Sequence, residues 1–275
     1  MSKLKYDLVF SFGPACSCSQ TLRRAGLQLL SFPFDWISPG FGTPLWNNDV
    51  RFRADMLAER FGAERSPKGF LHLEDFVYSG DHTNGKAKVY NKRLGTNFLH
   101  DFPIGVPLEE SFPAVKAKYT RRENRLLELI GKSANVLIAR LDRPDLDYRT
   151  PDDDCRYARE LLSRAFAPAR FDFLLIQPDA SVPFGNESLE TVEPGFFRLA
   201  FDYGDRRPGA DRKFPRFELT SAAVAEHFAV HDYRTKEEIA AHRLKERQKR
   251  WAKYGASNAL QYGWHKFLSH FRKGA

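Results

Sequence analysis

A strand that runs into Gly-Pro and then into a cysteine is the feature that most constrains this chain. Tyr6 to Phe12 is apolar, aromatic and β-branched, which predicts a short buried strand, and Gly13-Pro14 stops it. From Cys16 to Leu30 the apolar positions Leu22, Ala25 and Leu29 recur at helical spacing, while Arg23, Arg24 and Gln28 fill the other side. The order strand, tight turn, cysteine, helix puts the Cys16 thiol at or near a helix N-terminus. Unpaired N–H groups and the positive end of the helix dipole stabilise a thiolate there, and the thiolate is the nucleophile. The same amides can receive the oxyanion of a tetrahedral intermediate. The carboxyl end of a strand in an open α/β sheet is also where ligands bind. The competing reading makes Cys16 and Cys18 small buried hydrophobes. No further ligands stand at zinc-site spacing, so no metal is expected, and a disulfide across one residue would be strained.

The rest of the chain reads as alternating elements. Ser31–Ile37 is extended and Ser38–Gly42 is a loop. A helix is expected over Asp49–Phe61, and short strand pieces at Phe70–Leu73 and Phe76–Tyr78 sit in a turn-rich stretch. Asn97–Phe102 is strand-like. Thr120-Arg-Arg-Glu123 matches a capping box and predicts a helix from there to Ile130. Asn135–Leu141 is a buried strand. Thr150 as cap, Pro151 at the first helical position and three acids after it open a helix to about Phe166. Phe171–Gln177 and Gly195–Tyr203 are further strands. Strand, helix, strand over 135–177 is a βαβ unit and implies parallel pairing. The fold class expected is α/β: a single, mostly parallel sheet covered by helices, with a C-terminal helical tail.

Charge divides the chain. Between Lys236 and Ala275, ten Lys or Arg face three Glu, so nearly all of the net charge of +8 sits there. Residues 1–235 form the expected catalytic domain and 236–275 a basic helical tail opened by a second capping box, Thr235–Glu238. A near-neutral body is not a nucleic-acid binder, and no specific nucleic-acid partner is expected. The tail suits an anionic membrane surface, an acidic partner, or solvent alone. Its aromatic positions Tyr262, Trp264, Phe267 and Phe271 either dock on the body or lie on lipid. No apolar run approaches a bilayer span, and the first residues lack a signal-peptide pattern. With three Cys and no disulfide framework, the expected location is the cytoplasm, with peripheral membrane attachment open.

A thiol nucleophile needs a base, and eight His are available. His242, His265 and His270 belong to the tail. His82 sits in a turn, His72 in the turn-rich stretch, and His227 and His231 are spaced i, i+4 around Phe228. His100 lies in Asn97-Phe-Leu-His-Asp-Phe102, where strand alternation puts Phe98, His100 and Phe102 on one face. Between two Phe it is either a satisfied core histidine or a desolvated general base.

Several motifs here resemble those of a known family. Phe10-Ser-Phe-Gly-Pro-Ala-Cys16, Leu22-Arg-Arg-Ala-Gly-Leu27 and Phe32-Pro-Phe-Asp-Trp-Ile37 are similar to the opening of an uncharacterised bacterial family labelled papain-like cysteine peptidase. Its members often accompany surface-polysaccharide genes. Tyr90-Asn91, Phe98–Phe102, Tyr119–Arg125 and Leu137–Arg140 resemble its later motifs. The resemblance covers roughly residues 6–180. It implies Cys16 as nucleophile, His100 as base and a third polar group to orient the imidazole. Asp142, just after a strand, leads for that role, with Asp101 and Asp35 as alternatives. A papain-like α+β fold stands as the alternative architecture. Three functions follow. The first is a thiol hydrolase acting on an acyl or peptide substrate without a cofactor. The second is a cysteine-dependent acyltransferase in surface-polysaccharide biosynthesis, with acyl-coenzyme A as donor. The third is a non-catalytic interaction module.

Overall fold

The computed structural model describes residues 2–39, 49–59, 70–82, 85–142, 149–179, 181–182, 187–201, 217–245 and 248. The chain divides into two compact units, Met1–Tyr233 and Arg234–Ala275. In the first unit the elements run β1 (Leu4–Tyr6), β2 (Leu8–Ser11), α1 (Ala15–Arg24), β3 (Ile37–Pro39), α2 (Asp49–Ala58), β4 (Phe76–His82), β5 (Lys86–Asn91) and β6 (Thr96–Phe98). They continue as α3 (Leu108–Gly131), β7 (Asn135–Leu141), α4 (Asp152–Ala165), β8 (Arg170–Pro178), β9 (Ser188–Glu193), β10 (Phe196–Phe201), α5 (Phe217–His227) and β11 (Phe228–Val230).

The class is α/β. The main sheet has the order β2-β7-β8-β10-β9, parallel except for the antiparallel edge strand β9. Beside it β1 pairs in parallel with β11. The expected strand at Tyr6–Phe12 is thus split at Asp7, whose N–H still reaches the Asn135 carbonyl. The βαβ unit is β7–α4–β8, with Ile138 opposite Phe173. Alternate side chains of the central strands go to opposite faces. Phe10, Ile138, Phe173 and Phe196 join one core with residues of α2, α3 and α4, and Val9, Leu137, Leu174 and Leu199 join another with Cys18 and Leu22 of α1 and Val224 of α5. Burial on both faces is why these strands read as largely apolar runs, interrupted by the buried charges Arg140 and Asp172.

The turn-rich stretch builds a second sheet, antiparallel, with the order β3-β6-β5-β4. It shares the first core through Phe76 and Phe98, which pack on Phe102 of the following bend and on Phe112 and Tyr119 of α3. Edge-to-face aromatic pairs of this kind add about 0.5–1.5 kcal/mol each beyond area burial.

Several local expectations are corrected. α1 ends at Arg24 rather than Leu30, because Gly26 takes a left-handed φ of 74°. α3 begins at Leu108, so the Thr120–Glu123 pattern lies inside a helix and caps nothing. The buried positions Phe112, Val115, Tyr119, Leu126 and Ile130 continue one face through it, and tertiary burial outweighs the local signal. Pro151, not Thr150, is the residue before α4, and the Thr150 hydroxyl donates to Asp142 instead. His227 closes α5 while His231 follows β11, so the two do not share a helix face. Residues 33–35 form a 3₁₀ turn where extended chain was expected.

In the second unit residues 236–245 are helical. The capping box is present: Thr235 N–H donates to Glu238 Oε2 at 3.1 Å, and Glu238 N–H to Thr235 Oγ1 at 3.2 Å. The aromatic segment 260–271 lies outside the described residues. Among the described residues no helix is long and apolar enough to cross a membrane.

Candidate active site

The turn that carries Cys16 is held by β7. Phe12 N–H donates to the Ala139 carbonyl at 2.8 Å, and Leu141 N–H to the Gly13 carbonyl at 3.1 Å. Gly13, at φ 82°, donates its N–H to Ser11 Oγ at 2.9 Å. α1 then starts at Ala15, so Cys16 is its second residue, four positions past Phe12. Cys16 is partly exposed. The first-turn amides of a helix have no partner within it, and the dipole is positive at that end. No acid stands in the first turn of α1, whereas α3 carries Glu109 and Glu110 there and α4 carries three Asp.

The other two cysteines are structural. Cys18 is fully buried and its Sγ donates to the Ala139 carbonyl at 3.3 Å. Burial pushes its thiol up to about 12, against the pull of a Ser11 hydrogen bond and of Arg140. Burial likewise raises the Cys155 thiol well above the ordinary range. The small-hydrophobe reading therefore holds for Cys18 and not for Cys16.

From Cys16 a line of contacts leads toward His100. Ser19, one turn along α1, places its Oγ 3.1 Å from the Cys16 carbonyl and 3.4 Å from the Asp35 carbonyl. Asp35 closes the 3₁₀ turn Pro33–Asp35, and its buried carboxylate accepts from Arg23 at 2.9 Å, Gln28 at 2.8 Å and Phe32 N–H at 3.0 Å. Burial raises its pKa, with Arg23 pulling the other way. The next residue, Trp36, meets the His100 ring at 5.4 Å.

The strand carrying His100 is shorter than its alternation suggests. β6 stops at Phe98 and residues 99–102 bend. Phe98 and Phe102 still enter the same aromatic core, while His100 is only partly buried. It is thus not sealed between two Phe.

The three candidate acids sit in different places. Asp142, at the end of β7, accepts from Thr150 N–H at 2.9 Å, Thr150 Oγ1 at 2.6 Å and Gln177 Nε2 at 3.0 Å. Asp101, beside His100, accepts from Tyr119 at 3.0 Å and pairs with Lys118. Asp35 is engaged as described above. A buried ionic group that the residue patterns do not reveal lies next to the Cys16 turn. Arg140 and Arg53 share Asp49, and all three are at most 2% exposed. Its one sequence signal is the i, i+4 spacing of Asp49 and Arg53.

Comparison with known proteins covers this part of the chain. Residues 7–143, just under half of it, match the model of a family described as "Putative papain-like cysteine peptidase". The matched stretch contains Cys16, Asp35, His100, Arg140 and Asp142. An uncharacterised protein of Acanthamoeba polyphaga mimivirus, R408, is 26% identical over 138 residues, which cover 48% of this chain and 60% of that protein. The chain thus spans less than two thirds of that relative. No solved structure matches.

Proposed function

We propose that the protein is a thiol hydrolase in which Cys16 is the nucleophile and His100 the general base. The observation that carries the reading is the position of Cys16: partly exposed, second in α1, with no acid in the helix's first turn. The matched family's description supports the same class of chemistry.

In this reading the Cys16 thiolate adds to a substrate carbonyl, and the first-turn amides of α1 hydrogen-bond the oxyanion. The imidazolium of His100 gives its proton to the leaving group as the carbon–heteroatom bond breaks, leaving a thioester. His100 then takes a proton from water as it attacks, and the thiolate leaves. Asp142 is the proposed orienting carboxylate.

The test is alkylation by iodoacetamide at neutral pH, followed residue by residue by mass spectrometry. Cys16 is expected to react faster than an ordinary thiol, and His100→Ala to slow it. A Cys16 no more reactive than a small-molecule thiol overturns the reading.

A further inference from the structure

We propose that Arg140, Asp49 and Arg53 form a buried clamp that positions the Cys16 turn against the Trp36–His100 segment. The inference rests on Cys16 as nucleophile and assigns positioning roles to three residues that do not touch substrate.

In the β2–β7 ladder Ser11 is opposite Ala139. Regular parallel pairing then sends Leu141 N–H to the Phe12 carbonyl. It goes instead to Gly13, whose positive φ turns the next carbonyl into the ladder. The Phe12 carbonyl loses its ladder donor in a fully buried place. Arg140 Nη1 supplies one at 3.1 Å.

A buried guanidinium needs partners of its own. Arg140 pairs with Asp49, reaches Thr150 Oγ1 at 3.3 Å and lies 3.7 Å from Asp142. Asp49, at the start of α2, also accepts from Arg53 Nε at 2.7 Å. The other nitrogens of Arg53 reach the Phe34 carbonyl at 3.3 Å and the Ile37 carbonyl at 3.4 Å. Those two carbonyls flank Asp35 and Trp36. One relay therefore grips the residue before the Gly13–Pro14 turn at one end and the segment under His100 at the other. Two forked cations around one carboxylate hold both ends in fixed directions, which a single lysine ammonium cannot do. Among the described residues, the other charged or titratable groups on and beside α1 are Arg23 and Arg24 on the helix itself, Asp35 in the 3₁₀ turn, Asp142 beside Arg140 at the end of β7, and Glu226 and His227 at the end of α5. From α5 the buried Thr220, Ser221 and Val224 carry no charge.

The test follows the rate of Cys16 alkylation by iodoacetamide from about pH 4 to about pH 10 in the folded full chain. It compares the wild type with Arg140→Gln, Arg53→Gln, Arg140→Lys and, as a destabilised control, Leu162→Ala in α4. The midpoint is expected to rise by about one pH unit in Arg140→Gln, a roughly tenfold slower reaction at pH values below the wild-type midpoint, and by less in Arg53→Gln. Leu162→Ala is expected to lose stability and keep the wild-type midpoint. Arg140→Lys keeps the charge without the fork and is read in the same way if Arg140→Gln does not fold. A folded Arg140 variant with the wild-type midpoint overturns the clamp. A wild-type Cys16 as slow as an ordinary thiol overturns instead the nucleophile reading on which the clamp depends.

Discussion

The indole of Trp36 meets the imidazole of His100 nearly perpendicular, with ring centroids 5.4 Å apart and planes at 80°. The contact joins two segments 64 residues apart in the chain, brought together by the pairing of Ile37 with Phe98. Trp36 follows Asp35, and Asp35 is locked by Arg23, Gln28 and the Phe32 amide. His100 thus packs against a hydrogen-bonded turn that also touches α1 through Ser19.

If His100 is the base, that contact matters for turnover. Trp36→Ala is expected to slow hydrolysis of an activated acyl ester by about 10–100-fold, the scale of a misplaced catalytic group. Trp36→Phe should retain most of the rate. Equal rates in all three proteins would remove Trp36 from any role in positioning.

The three thiols should separate cleanly by accessibility. Under native conditions iodoacetamide is expected to label Cys16 alone, with Cys18 and Cys155 labelled only after denaturation, since both are fully buried. Cys18→Ala should cost about 1–2 kcal/mol of stability, because it empties a packed position and leaves the Ala139 carbonyl with one donor fewer. Native labelling of Cys18 at the rate of Cys16 contradicts this division.

Glu123 makes stability depend on pH. It is 6% exposed on α3, and burial raises its carboxyl to about 7, with the Phe70 amide working against the shift. The folded state therefore holds a proton that the unfolded chain releases at lower pH. The contribution is fully present below the ordinary glutamate range and is lost as pH rises through about 7. Glu123→Gln is expected to flatten this loss and to stabilise the protein above neutral pH by about 1–3 kcal/mol. Chemical denaturation at a series of pH values measures it, and an unchanged slope in the variant refutes the assignment.

The basic segment 236–275 is proposed to bind an anionic lipid surface, at about 1 kcal/mol for each basic residue near the headgroups. The full chain should float with vesicles containing phosphatidylserine and not with neutral ones. Replacing Lys245, Arg247, Lys249 and Arg250 by Glu should abolish flotation. Equal behaviour with both vesicle types leaves the charge to solubility.

Much of the main sheet was legible because its strands are buried on both faces. Val136–Ala139 and Phe173–Ile176 are apolar cores within Asn135–Leu141 and Phe171–Gln177, and no alternation is needed to see them. The edge strand β9, Ser-Leu-Glu-Thr-Val-Glu, is half solvated and carries no such signal. The antiparallel sheet is legible only as fragments, since Phe76–His82 contains Ser, Gly, Asp and His, and its pairing with β5 is what makes it a strand. The start of α3 is hidden for the opposite reason. A strong local capping pattern at Thr120 pointed to a boundary that packing along one continuous face erased.

For the candidate site, the sequence alone determined that a thiol follows a strand and a tight turn at the start of a helix. Strand propensity, Gly-Pro and helical spacing are local properties, and they act within a few residues of Cys16. Only the tertiary structure decided that Cys18, two residues away, is sealed against β7 while Cys16 is not. It also brought Trp36 to His100, and it recruited Arg140, Asp49 and Arg53 to the Phe12, Phe34 and Ile37 carbonyls. The reason is physical: a buried guanidinium or an unpaired carbonyl is stable only where distant segments supply its partner, and which segments meet is set by the packing of the whole core.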